Sequence, residues 1–132
     1  MTSNELISKY KSFVTIKTSE EDKLRVFRQI VKITPYINYD KKCELIEKLL
    51  LQDGKCAYAY IQKRFIECML KYYTDIEILS DTYDILEEVD VLRYIILLFK
   101  TEYERCTQIL NMYLDDIQSG RITYENLLSA DK

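Results

Sequence analysis

Histidine and tryptophan are both absent from this 132-residue chain. Without histidine the chain lacks the commonest general base and the commonest metal ligand near neutral pH. A Ser-His-Asp type of triad is therefore excluded. Glycine occurs twice and proline once, too few to build the tight turns of a strand-rich barrel or sandwich, or a glycine-rich phosphate loop. No long apolar run exists. The strongest, residues 94–99, is far below the roughly 18 residues of a membrane span, so no membrane association is expected. The first residues, Met1-Thr-Ser-Asn-Glu5, lack the basic start and apolar stretch of a secretory signal.

What is present is 48% hydrophobic and 31% charged residues, the balance of a folded globular chain rather than a disordered one. The length predicts a single domain over residues 1–132. Four cysteines stand at Cys43, Cys56, Cys68 and Cys106. No pair has the C-x2-C spacing of a zinc or redox site. Cys43, Cys68 and Cys106 fall at helical spacing among apolar residues, which predicts buried, unbridged thiols in a reducing cytosol. No cofactor and no metal site is expected.

Six or seven helices in one all-α bundle follow from the apolar periodicity. Thr18 with Glu21, or Ser19 with Asp22, makes a capping box, opening a helix with Leu24, Phe27, Ile30 and Val31 on one face. That helix must end before Pro35. Upstream, Leu6, Ile7 and Tyr10 suggest a short helix, and Phe13-Val-Thr-Ile16 alternates as an extended segment would. Asp40 can cap a helix to about Leu51, with Cys43, Ile46, Leu49 and Leu50 inward, broken at Gly54.

The strongest periodic signal comes next. Tyr58, Ile61, Phe65, Cys68, Tyr72, Ile76 and Leu79 recur at steps of three and four, predicting a long central helix over about 57–79. Asp81 opens a short helix through Glu88, Asp90 can cap another over 91–99, and Thr101 with Glu104 reads as a further capping box. The helix that box starts carries Tyr103, Cys106, Leu110, Tyr113, Leu114 and Ile117 on one face and stops at Gly120. A final helical turn is expected over 122–128. No internal repeat marks a solenoid.

Charge is unevenly placed. Residues 1–71 hold 14 basic and 9 acidic side chains, net +5, whereas residues 72–132 hold 5 and 13, net −8. Between residues 75 and 90 the charged side chains are Asp75, Glu77, Asp81, Asp84, Glu87, Glu88 and Asp90, with no basic residue among them. Three readings fit: a contact patch for a basic partner, a phosphate mimic that fills a nucleic-acid groove, or a solvated face balanced by the basic helices upstream. As a partner-binding surface the run takes Tyr72, Tyr73 and Tyr83 with it. Twelve tyrosines without tryptophan suit interface edges, where the ring is covered and the hydroxyl reaches water.

Nucleic-acid binding is the weaker reading. Lys23, Arg25, Arg28, Lys32, Lys41, Lys42, Lys63 and Arg64 alternate with carboxylates instead of forming a basic stripe, although Tyr58, Tyr60, Tyr72 and Tyr73 supply rings for stacking. The one catalytic constellation is carboxylate-based. Glu44-x-x-Glu47 and Glu87-x-x-Asp90 each put two carboxylates on one helix face, the arrangement with which all-helical nucleotide pyrophosphohydrolases hold Mg²⁺.

At Lys71-Tyr-Tyr-Thr-Asp-Ile-Glu-Ile78 and Leu110-Asn-Met-Tyr-Leu-Asp-Asp-Ile117 the chain resembles small helical proteins of phages and prophages of low-GC bacteria. A Tyr-Thr-Asp-Ile/Leu-Glu segment and a later Met-x-x-Asp-Asp-Ile/Leu segment recur in these proteins, and the likeness runs loosely over residues 20–120. The resemblance implies a phage origin and no catalytic residue. Richness in Lys, Ile and Tyr fits an AT-rich genome, which also admits a poxviral helical bundle of the apoptosis-regulator type.

Together these readings imply a non-enzymatic phage protein, a small virion structural or assembly component that contacts virion or host proteins or further copies of itself. Its expected place is the cytoplasm of the infected bacterium or the virion. An acidic inhibitor of a host defence nuclease is the first alternative, and the Mg²⁺-dependent hydrolase the second.

Overall fold

A computed structural model of the chain describes residues 1–15, 17–53 and 58–123. The expected breaker Gly54, Cys56, the side chain of Tyr58 and the terminal turn beyond residue 123 lie outside the described residues, as does Ile16. Among the described residues the chain is all-α. Its seven helices are α1 Ser3–Phe13, α2 Glu20–Ile30, α3 Tyr39–Asp53, α4 Tyr58–Tyr73, α5 Thr82–Glu88, α6 Leu92–Leu97 and α7 Lys100–Gln118. Extended pairing among the described residues is confined to a single bridge between Ile33 and Thr74. No described helix is long and apolar enough to cross a membrane.

Local side-chain caps set the starts of three helices. The Thr2 hydroxyl accepts the Glu5 amide at 3.1 Å and opens α1. For α2 the chain uses Ser19 rather than Thr18: the Ser19 hydroxyl accepts the Asp22 amide at 3.2 Å. At α3 the cap is Asn38 instead of Asp40, its side-chain oxygen taking the Lys41 amide at 2.9 Å. Each satisfies an amide that the first helical turn leaves without a partner. Thr101, expected as a cap, instead lies inside the first turn of α7.

Two compact units make up the chain. The first comprises Met1–Tyr36 and Met69–Lys100. In it α1 packs on α2 and α5, and α6 packs on α2 and α5. Phe27, fully buried, lies between two rings, with centroids 4.7 Å from Tyr10 and 5.7 Å from Tyr94. Leu6, Val31, Met69, Leu70, Ile76, Leu86 and Ile95 are buried in the same unit. Leu24 and Ile30, expected inward on α2, are only half-buried.

The second unit comprises Ile37–Cys68 and Thr101–Lys132. Leu45, Ile46, Leu49 and Leu50 of α3, Ile61, Phe65 and Ile66 of α4, and Cys106, Ile109 and Leu110 of α7 are buried there. Cys106 is a buried thiol as expected, whereas Cys43 and Cys68 are only half-buried. Gly120 closes α7 at φ +80°, a left-handed conformation that glycine adopts without a steric penalty.

The helix expected over 57–79 stops at Tyr73. Continuing it would require the Glu77 amide to donate to the Tyr73 carbonyl. That carbonyl instead accepts the Thr34 amide at 2.9 Å, and the Glu77 amide donates to the Met1 carbonyl at 2.6 Å. Thr74 completes the stop: its hydroxyl donates to the Leu70 carbonyl at 2.6 Å and accepts the Ile76 amide at 3.1 Å. Ile76 remains buried in the extended segment that follows, but Leu79 is turned out to solvent.

Candidate interaction surface

The acidic run lies wholly in the first unit. It begins in the extended segment after α4 and turns into α5 through a buried hydroxyl. Thr82, fully buried, accepts the Leu79 amide at 2.8 Å and donates to the Glu77 carbonyl at 3.3 Å. This knot does the work expected of Asp81, whose carboxylate makes no capping bond. With Thr82 and Leu86 one helical turn apart on the buried side, Asp84, Glu87 and Glu88 are left on the exposed side.

Asp90 was expected to cap α6; it closes α5 instead. Its φ is +57°, and the Asp90 amide donates to the Glu87 carbonyl at 3.0 Å while the Val91 amide donates to the Leu86 carbonyl at 3.1 Å. This pair of bonds is the left-handed stop usually given to glycine, and Leu86 and Val91, the positions between which such a stop favours an apolar contact, are both buried.

Few of the seven carboxylates are engaged. Asp75 accepts the Lys32 amide at 3.1 Å, and Asp90 pairs with Arg93 at 3.2 Å. Glu77, Asp81, Asp84, Glu87 and Glu88 are exposed and have no ion-pair partner among the described residues. Two of the three basic residues of α2 are directed elsewhere: Lys23 pairs with Glu20 at 3.7 Å and Arg25 with Asp22 at 3.0 Å. The first unit's sequence holds 10 basic and 11 acidic residues, net −1, so the negative potential is local to the run. Two aliphatic side chains are exposed within it, Leu79 at 46% and Val89 at 38%.

The expected tyrosines divide. Tyr72 and Tyr83 are half-buried at the surface, Tyr72 with the Lys71 ammonium 5.8 Å from its ring centre. Tyr73 is fully buried and stacked on Phe99 at 5.3 Å. It has no surface to give a partner. Its ring fills the position that ends α4, so it is a core residue.

Two charge clusters escaped sequence reasoning. In the first unit Glu20 accepts the Tyr94 hydroxyl, and Arg93 donates to that hydroxyl at 2.9 Å while its guanidinium carbon lies 4.5 Å from the Tyr94 ring centre. The Tyr94 hydrogen bond is the largest influence on Glu20 and holds its carboxyl below the ordinary range. Burial, then the bond to Glu20, pushes the Tyr94 phenol up.

In the second unit Lys42, assigned to the basic surface on sequence grounds, is a core residue. Its side chain is 2% exposed and its ammonium lies 2.9 Å from Glu102, itself 4% exposed. Glu102 also accepts the Ile37 amide at 3.0 Å and an Arg105 N–H at 2.9 Å. Burial alone would raise the Glu102 carboxyl, but the Ile37 amide, Lys42 and Arg105 outweigh it and hold the group below its ordinary value. The signal was in the spacing. Residues 42, 45, 46, 49 and 50 form one helical stripe, as do 102, 106, 109 and 110.

The carboxylates of the hydrolase reading are individually occupied or apart from any cluster. Glu44 pairs with Lys41 at 3.6 Å, Glu47 accepts the Tyr113 hydroxyl at 2.5 Å, and Asp90 holds Arg93. Among the described residues no group of three or more Asp, Glu or Cys side chains could hold a metal ion. Burial and then Glu47 raise the Tyr113 phenol, and burial is also the main cause that raises the Cys43 thiol, the opposite of an activated nucleophile. The chain matches no protein-family model, no curated protein and no solved structure.

Proposed function

We propose that the chain is a non-enzymatic protein of phage origin that acts by binding other proteins, as a small virion or assembly component, and that the 75–90 face makes the contact. One observation carries this reading: Glu77, Asp81, Asp84, Glu87 and Glu88 are exposed without ion-pair partners among the described residues, with exposed Leu79 and Val89 in the same 75–90 run. The carboxylates speed encounter with a basic surface and set the register of docking. The aliphatic chains supply area to bury. Covering a half-exposed leucine is worth about 1 kcal/mol, half the transfer value of a whole side chain.

The test is capture from phage-infected cell lysate at low salt by the wild type and by the Glu87→Lys/Glu88→Lys double variant. The reading expects a set of proteins held by the wild type and lost from the variant, and not displaced by added DNA. An identical set on both refutes the contact assignment. Displacement by DNA refutes the assembly reading in favour of a nuclease inhibitor that mimics nucleic acid.

A further inference from the structure

We draw no further inference here: the strongest candidate, the open depression of about 380 Å³ lined by Asn38, Tyr39, Asp40, Lys41 and Glu44 at the start of α3, carries nothing because it rests on a helix N-terminus with no second observation that points to a ligand.

Discussion

The buried pair between Lys42 and Glu102 makes the second unit sensitive to the loss of either charge, by an amount the geometry sets. Removing one partner of a buried ion pair typically costs about 3–5 kcal/mol, because the charge left behind is desolvated and uncompensated. Lys42→Met keeps the stem and removes the ammonium. Glu102 then retains the Ile37 amide and Arg105, so the cost should fall below that range, at about 2–3 kcal/mol. Glu102→Met removes the acceptor of three donors at once and should cost the full range. The double variant, with two methionines of similar volume, leaves the half-buried Ile37 amide without Glu102 and the exposed Arg105 to water, and should lie within about 1–2 kcal/mol of the wild type. Urea unfolding of all four proteins closes the cycle. Single losses of that size, set against the double variant, leave a coupling of about 3–7 kcal/mol. A coupling under about 0.5 kcal/mol refutes the pair.

The pH dependence carries a sign as well. The Glu102 carboxyl is held below its ordinary 4.5 in the folded chain. Its contribution to stability is therefore fully present above that value and is lost as the pH falls through the lower, folded value. Glu102→Met should flatten the acid limb of the stability curve.

Three other outcomes follow from the first unit and the proposed assembly role. Asp90→Gly relieves a positive φ and gives up one exposed ion pair, so its stability should stay within about 1 kcal/mol of the wild type. Asp90→Val forces a β-branched residue into the left-handed region and should cost about 1–2 kcal/mol, read by thermal unfolding. Tyr94→Phe keeps the ring against Phe27 but removes the hydroxyl between Glu20 and Arg93; a loss of about 1 kcal/mol, with Glu20 titrating closer to its ordinary value by NMR, is expected. An assembly component repeats its own subunit, so light scattering over a concentration series should give masses above 15.8 kDa; a monomer at every concentration contradicts that role.

Helices were legible where the information is local. Ser19 with Asp22, the inward Phe27 of α2, and the short α5 could all be read from spacing and caps, because a cap bond spans three residues and a helical stripe recurs every three or four. The end of α4 could not. Tyr72, Ile76 and Leu79 continue the helical period, yet the Tyr73 carbonyl is taken by Thr34 and the Glu77 amide by Met1, partners far away in sequence. Asp90 is ambiguous for a related reason: the same residue type caps a following helix or closes a preceding one, and here the Val91 amide turns back to the Leu86 carbonyl. Lys42 is readable as a stripe member, although its charge alone places it on the surface, and Glu102 shares the stripe of Cys106, Ile109 and Leu110. The acidic run, by contrast, was visible as composition, and the structure adds which of its side chains are engaged: Tyr73 drops out into the core, while Leu79 and Val89 join the surface.

Carboxyl footprinting tests the proposed contact most directly. A water-soluble carbodiimide labels exposed carboxylates, so the protein alone should be modified at Glu77, Asp81, Asp84, Glu87 and Glu88, and also at Glu21 and Asp115, all of which are exposed. In assemblies recovered from infected cells, the account predicts protection of the five residues in the 77–88 stretch with Glu21 and Asp115 still labelled. Equal labelling of all seven before and after assembly would contradict it and leave the run a solvated face.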